Sequence, residues 1–537
     1  RKPAGVVFPT NAKGDRSTTD AQKKIWGATF EAIDSPVAAE VKNEKKFRYA
    51  YNKYVIKHVR ESLESPLKAV ESAKAGLNEL HNSFEFIRDD TTTTLAQAMK
   101  QYKGTFETGF IKGEGKRPEK FELEVPYKGK TLRKESLLKQ LKKWEDYGTI
   151  EPSAAEAIAA VANNPDWTDL SDQYFVLLGA GSAMGPLLVL LALGANVIAV
   201  DLNRPGIWKR LIGLARESCG TLTFPLRKQE SEINGDEDLY ANSGCDLIQE
   251  VPEINNWLQT VYPDKKLIIG CYVYLDGEAH VRVVLACDAI MKGMCESRKT
   301  AIAFLCTPTD CHVIPEEARK VAQKNYSSLG LKNLILMPIK LLFGKKYLVK
   351  NVQPTQKGQD GRIYSYVDGL VVAQGPNYAL AKRMQHWRCV VAREQGCVVS
   401  SNVAPSTATA SVVHNKQFAW AYDGMPYFKP LEIFQQETSN AVMGALLIHD
   451  IRNKDSISNP SRKLNNPLEL FSENSFHGGI WRCGYTVGSI GEVSVLVHFA
   501  KVLKFALILV PLLVVLIAYF VMFQFLQQTM PAQQIRA

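Results

Sequence analysis

One stretch constrains this chain more than any other. Residues 174–205 read YFVLLGAGSAMGPLLVLLALGANVIAVDLNRP. Tyr174–Leu178 is an apolar run closed by glycine, as expected of a strand buried on both faces of a parallel sheet. Gly179, Gly181 and Gly185 follow at once, with Ser182 and Met184 between them. Glycines there let the backbone turn tightly and approach a pyrophosphate. The first turn of the following helix binds such a group through free N–H groups and the helix dipole. The second apolar strand, Asn196–Val200, ends in Asp201. A carboxylate at that point accepts hydrogen bonds from a ribose 2′-hydroxyl and repels a 2′-phosphate. Strand, turn, helix, strand and acid together predict a dinucleotide-binding unit. The competing reading is a domain of that shape that has lost its cofactor.

The alternation continues downstream. A helix over Ile207–Ser218, a strand over Thr221–Pro225, a buried strand over Leu267–Tyr274, a helix over Ala279–Met294 and a strand over Thr300–Leu305 are expected in turn. Asp246 and Leu247 fall where the adenine edge of a bound dinucleotide would lie. This order predicts an α/β fold, a doubly wound parallel sheet of Rossmann type with helices on both faces. Ahead of it, residues 1–45 read as a polar arm and 46–168 as a mainly helical accessory region, with a hairpin turning at Lys128-Gly129. The dinucleotide-binding domain is expected over 169–450, with an insertion at about 310–360 that forms a lid or docking surface. Loop and final strands are expected over 451–500, and an anchor with its tail over 501–537.

That anchor is the second strong signal. Phe505–Phe523 reads FALILVPLLVVLIAYFVMF, 19 residues without a charge. At ~1.5 Å rise per residue this spans ~28 Å, about the thickness of a hydrocarbon core. A single-pass C-terminal transmembrane helix is therefore expected, contacting the membrane through residues 505–526. Lys501 and Lys504 precede it, which places the soluble portion toward the stroma, matrix or cytosol. The chain starts at Arg1, as expected after removal of a targeting segment or from truncation. Removal would suit an organelle such as a chloroplast or mitochondrion.

Composition excludes little. The net charge is +10 over 537 residues, and 46% hydrophobic content supplies a substantial core. No motif points to nucleic acid. The ten cysteines show no CxxC pair and the nine histidines do not cluster with them. Reduced thiols and no metal site are expected.

Chemistry enters at Asn377–Thr409, NYALAKRMQHWRCVVAREQGCVVSSNVAPSTAT. Tyr378 and Lys382 stand four apart, on one face of a helix. A cation beside a phenol favours the phenolate, which makes such a tyrosine a usable general acid or base near neutral pH. A strand and the segment Asn402-Val403-Ala404-Pro405, then Thr409, follow. Ser365, 13 positions before Tyr378, is placed to hydrogen-bond a substrate oxygen.

Over about residues 170–450 the chain resembles the short-chain dehydrogenase/reductase superfamily. LGAGSAMG matches that family's TGxxxGxG, with Leu178 for the threonine and Ala183 for the middle glycine. Asp201 matches the acid selecting NAD over NADP, although Arg204 close by leaves NADP open. Asp246-Leu247 looks like the pair beside the adenine, and Tyr378 with Lys382 matches YxxxK. Pro405 with Thr409 looks like the loop that packs on the nicotinamide, although Ser406 replaces its glycine. The resemblance implies cofactor contacts from Gly179, Gly181, Ser182, Met184, Gly185, Asp201, Asp246, Leu247, Tyr378, Lys382, Pro405 and Thr409.

Two departures matter. The Asn-Ala-Gly turn of that family is missing; Gly270-Cys271-Tyr272 stands near its place. About 70 residues separate the Thr300–Leu305 strand from Tyr378, and Thr307 and Thr309 stand where the family carries its serine. Ser365 has the right spacing, and either threonine the right position after the strand. The expectation is an NAD(P)-dependent oxidoreductase, membrane-anchored and acting on a carbonyl or alcohol of a lipophilic substrate. The other reading is a structural or assembly subunit of an organellar membrane complex, with neighbouring subunits as its partners.

Overall fold

The computed structural model describes residues 3–328 and 346–503. Its ten principal strands are β1 (Glu107–Lys112), β2 (Tyr174–Leu178), β3 (Asn196–Val200), β4 (Thr221–Leu226), β5 (Leu267–Cys271), β6 (Thr300–Cys306), β7 (Cys311–Ile314), β8 (Gln356–Lys357), β9 (Ile363–Asp368) and β10 (Val398–Val403). The main helices are α1 (Thr18–Glu31), α2 (Phe47–Ser62), α3 (Pro66–Ser83), α4 (Lys134–Tyr147), α5 (Pro152–Asn163), α6 (Leu187–Ala192), α7 (Pro205–Glu217), α8 (Val251–Thr260), α9 (Glu278–Ser297), α10 (Glu316–Ser327), α11 (Pro376–Glu394), α12 (Lys416–Gly424) and α13 (Gln436–Arg452).

Seven strands form one sheet in the order β10-β6-β5-β2-β3-β4-β1. All pairings from β10 through to β4 are parallel. From β4 to β10 the spatial order is third, second, first, fourth, fifth, sixth in the chain. That arrangement reverses direction between β2 and β5, and ligands of such sheets bind in the crevice at the carboxyl ends of those strands. The seventh strand, β1, pairs antiparallel with β4, Phe110 facing Thr223. The sheet is therefore mixed, not wholly parallel as expected. A segment of the N-terminal region closes an edge that would otherwise present unpaired N–H and C=O groups.

Strand residues alternate between two cores, as a pleat requires. Val176, Leu178, Ile269 and Phe304 face a layer containing α8, α9 and α11. Phe175, Leu177, Ile268 and Ala303 face α5, α6, α7 and α13. The N-terminal helices add an outer layer to the first face. Trp387 of α11 meets Trp26 of α1, with ring centres 5.4 Å apart. A side chain at Gly76 of α3 would meet the Trp387 ring at 2.7 Å, so glycine sets that helix spacing. The segment expected as a polar arm instead contributes α1, whose Ile25, Trp26 and Phe30 are buried. The hairpin forms where expected, with Lys128 and Gly129 at φ +49° and +76°.

Two further expectations are corrected. Residues 487–503 form a helix where a final strand was expected. Among the described residues no helix is long and apolar enough to cross a membrane. The segment 505–526, on which the anchor fell, lies outside the described residues. The described residues give no support to the single-pass C-terminal anchor, nor to the membrane location and orientation derived from it. Of the insertion, α10 and the small antiparallel sheet β7-β9-β8 are described, and residues 329–345 lie outside.

Candidate functional site

The glycine turn leaves β2 at the point where the strand order reverses. Gly179 has φ +82°, a conformation open to glycine at little cost, and a Cβ there would meet Val273 at 3.0 Å. Its N–H donates to the Val200 carbonyl at 2.9 Å, tying the turn to the end of β3. Asp201 completes the tie. Its Oδ2 accepts the Gly181 N–H at 2.6 Å and its Oδ1 accepts the Leu202 N–H at 2.8 Å. Arg210 of α7 donates to the Gly181 carbonyl at 2.8 Å. A Cβ at Gly181 would lie 2.8 Å from Arg210 Nη2 and 3.0 Å from Asp201 Oδ2. Ser182 and Gly185 close the turn, with the Gly185 N–H donating to the Ser182 carbonyl. Met184 turns the other way, toward α13.

A cleft of about 670 Å³ opens beyond Asp201, lined by Leu202, Asn203, Arg204, Asp246 and Gln249 among others. Asp246 thus lines the same cleft as Leu202 and Asn203, past the end of β3. Its Oδ1 accepts the Ile248 and Gln249 N–H groups, which starts the turn into α8. Leu247 is 6% exposed and belongs to the core.

The second half of the site is built by α11. It runs back from the carboxyl edge of the sheet and brings Tyr378 and Lys382 over the ends of β5 and β6. The Lys382 ammonium donates to the Leu305 carbonyl and to Gln385 Oε1, each at 3.4 Å, and lies 5.9 Å from the Tyr378 ring centre. Both side chains are half-buried. The Tyr378 ring stacks on His280 of α9 at 5.7 Å and 18°. His280 is 1% exposed, and burial first, then the Lys382 charge, hold its pKa down to about 3. It is a neutral imidazole whose Nδ1 accepts the Leu275 N–H and whose Nε2 has no hydrogen-bond partner among the described residues. The Cys271 thiol at the end of β5 is held below its usual value by its hydrogen bond to Cys287 and by Lys382. Tyr422 of α12 stands close to Tyr378 and is pushed up to about 12 by burial.

Ser365 is not in this group. On β9 it faces Ile314 of β7, and its hydroxyl donates to Glu316 of α10 at 2.7 Å. Thr307 follows β6 directly, two residues beyond the Leu305 carbonyl that Lys382 contacts, and its Oγ1 lies 2.8 Å from that of Thr309. Pro405 and Thr409 lie on the loop after β10, where Ala404 donates to the Cys306 carbonyl and Thr409 caps a short helix. On the opposite face α13 closes over the glycine turn. Asn440 donates to the Ala183 carbonyl at 2.9 Å. Met184, Tyr272, Asn402 and Met443 enclose only about 10 Å³ there, room for no more than about one water.

Sequence reasoning missed His280, Tyr422 and Arg210. Nothing in a lone histidine or arginine marks it before the helices are packed. The residues present fit a dinucleotide: a glycine turn with Gly179 at positive φ and Gly181 tight against Arg210 and Asp201, a half-buried carboxylate at its end, a cleft beyond it, and a cation at the neighbouring strand ends. Among the described residues no group of histidines, cysteines and carboxylates is arranged to hold a metal ion. Comparison with family models, with curated proteins and with solved structures finds no match to this chain.

Proposed function

We propose that the chain binds a nicotinamide dinucleotide across the carboxyl ends of β3, β2 and β5 and exchanges a hydride with a carbonyl or alcohol. One observation carries the reading. Tyr378 and Lys382 lie together over the ends of β5 and β6, one strand from the glycine turn that leaves β2. When bound, the nicotinamide supplies or accepts the hydride. The amides of Gly179, Ala180, Gly181, Ser182 and Gly185 are donated within the turn and to the end of β3, so those of Ala183 and Met184 are the ones that would meet the pyrophosphate. Asp201 holds the turn and offers remaining lone pairs to a ribose hydroxyl, favouring NAD over NADP. Lys382 holds the ribose nearer the reacting carbon and keeps positive charge beside the phenol. Tyr378 gives or takes the proton on the substrate oxygen. Thr307, not Ser365, orients that oxygen. A lipophilic substrate rests on the anchor alone, which the described residues do not support.

A second reading has its own observation. The space of about 10 Å³ between the glycine turn and α13 is filled as in a domain kept for its shape. On that reading the chain is a structural subunit of a larger complex. Incubation with reduced and oxidised cofactors and a panel of aldehydes, ketones and alcohols, following nicotinamide absorbance, separates the two. Turnover lost in Tyr378→Phe supports the oxidoreductase. No turnover from intact protein with bound nucleotide favours the subunit.

A further inference from the structure

Two of the ten cysteines meet far from the site just described. Cys295 lies in the last turn of α9, and Cys397 immediately precedes β10. Val398 pairs with Ala301 on β6, so Cys397 continues the ladder opposite Thr300. The Thr300 hydroxyl donates to the Cys295 sulfur at 3.2 Å. Thr300 stands between the two cysteines, and the thiols are near enough to shift each other's ionisation in opposite directions. Three elements thus converge at the amino-terminal edge of the sheet, the opposite edge from Tyr378.

The surroundings distinguish this pair from the remaining thiols. Cys295 is partly exposed; Cys397 is 9% exposed, beneath the Glu394–Gly396 turn, which is open to solvent. A Cβ at Gly396 would meet nothing within 4 Å. Lys266 and Arg388 supply positive charge. The neighbouring Cys295, aided by those charges and opposed by burial, holds the Cys397 thiol below its usual value. Such a shift raises the share of thiolate, the form that attacks an oxidant. Cys245, Cys306, Cys311, Cys389 and Cys483 are pushed the other way by burial. Cys271 and Cys287 also adjoin, but they are 3% and 1% exposed inside the core.

We propose that Cys295 and Cys397 form a hydroperoxide-responsive dithiol, a modification site at which oxidation ties the end of α9 to the start of β10 through a disulfide. The Cys397 thiolate attacks one peroxide oxygen. An S–O bond forms, the O–O bond breaks, and hydroxide leaves to become water. Cys295 then attacks the Cys397 sulfur, the S–S bond forms, and the S–O bond breaks with release of a second water. Two thiols are oxidised and one hydrogen peroxide is reduced to two waters.

The test needs no variant to begin. The full chain is exposed to hydrogen peroxide, free thiols are blocked with N-ethylmaleimide, and peptides are mapped without reduction. The expected product is a Cys295–Cys397 cross-linked peptide lacking two hydrogens, reversed by dithiothreitol, with Cys219 still blocked as a thiol. In Cys295→Ser the reaction should stop at a Cys397 sulfenic acid that dimedone traps. Alkylation of Cys397 in the unoxidised chain should reach half its maximal rate at a lower pH than that of free cysteine. Recovery of both cysteines as blocked thiols, earlier oxidation of other cysteines, or conversion of Cys397 to sulfinic acid without cross-linking would overturn the proposal.

Discussion

The Lys382 ammonium lies 5.9 Å from the centre of the Tyr378 ring, one turn along the helix they share, while also donating to the Leu305 carbonyl at 3.4 Å. This fixes the cation between the phenol and the end of β6. If the proton passes through Tyr378, Tyr378→Phe should lower turnover by roughly two to four decades and leave cofactor affinity nearly unchanged. Lys382→Ala should lower turnover and weaken cofactor binding together. Steady-state kinetics paired with calorimetry reads both, and unchanged turnover in Tyr378→Phe sinks the mechanism.

The glycine turn makes a prediction about shape. Gly179 sits at φ +82°, where an L side chain costs roughly 1–2 kcal/mol, and its Cβ would press on Val273. Gly181 has no room beside Arg210 and Asp201. Alanine at either position should abolish nucleotide binding, with a lower urea midpoint for Gly179→Ala. Gly206, in the first turn of α7 with nothing within 4 Å of its Cβ position, is the control. Gly206→Ala should leave stability unchanged or raise it by up to about 1 kcal/mol.

Asp201 should decide between the two cofactors. Its carboxylate accepts the Gly181 and Leu202 N–H groups at the end of β3, with Arg210 on the Gly181 carbonyl and Arg204 lining the cleft beyond, and on the proposed reading it would meet a 2′-substituent there. NAD(H) is expected to bind more tightly than NADP(H) in the intact chain. Asp201→Ala removes the repulsion and two backbone contacts, so NAD(H) affinity should fall and the ratio should move toward NADP(H). Tighter NADP(H) binding by the unaltered chain would reverse the assignment.

Much of this site can be read from the sequence, and its omissions have physical causes. The turn, Asp201 and the Tyr378–Lys382 face depend on local spacing, which a strand and a helix preserve. Ser365 failed because spacing along the chain is not position in a sheet. β9 returns beside β7 and carries the hydroxyl to Glu316. Thr307 was better placed because it follows β6 directly. The pairing of β1 with β4 joins segments over a hundred residues apart, and nothing in ETGFIK announces its partner. His280 carries no pattern at all; only the packing of α9 on α11 brings it against Tyr378. Ser153 resembles a helix cap, yet Glu151 holds that position and Ser153 receives the Asn474 N–H instead.

Stability should fall in mild acid. His58 lies among Trp26, Phe30 and Trp387, and burial first, then the Arg383 charge, hold it down to about 3. His280 is held down to about 3 and His312 to about 4, each chiefly by burial. All three lie below the unfolded value of about 6.5. Between those limits the unfolded chain binds protons that the folded chain does not, so stability is full above about 6.5 and is lost as pH falls toward 4. Asp368, raised to about 6 by burial, acts in the opposite sense, but it is one group against five, His386 and His477 also being held down by burial. Urea midpoints should therefore be lower near pH 5 than near pH 7.5. His58→Gln should flatten the dependence by up to about 1.4 kcal/mol per pH unit. A midpoint that rises on acidification would contradict the assignment of neutral buried imidazoles.

The central claim is that the crevice between β2 and β5 holds a nicotinamide dinucleotide, and calorimetric titration of the folded chain with NAD and NADH tests it most directly. The expected result is saturable binding at one site per chain, lost in Gly181→Ala and weakened in Asp201→Ala while both variants keep their circular dichroism spectra. A folded chain that takes up neither NAD(H) nor NADP(H), or binding indifferent to both substitutions, would contradict it.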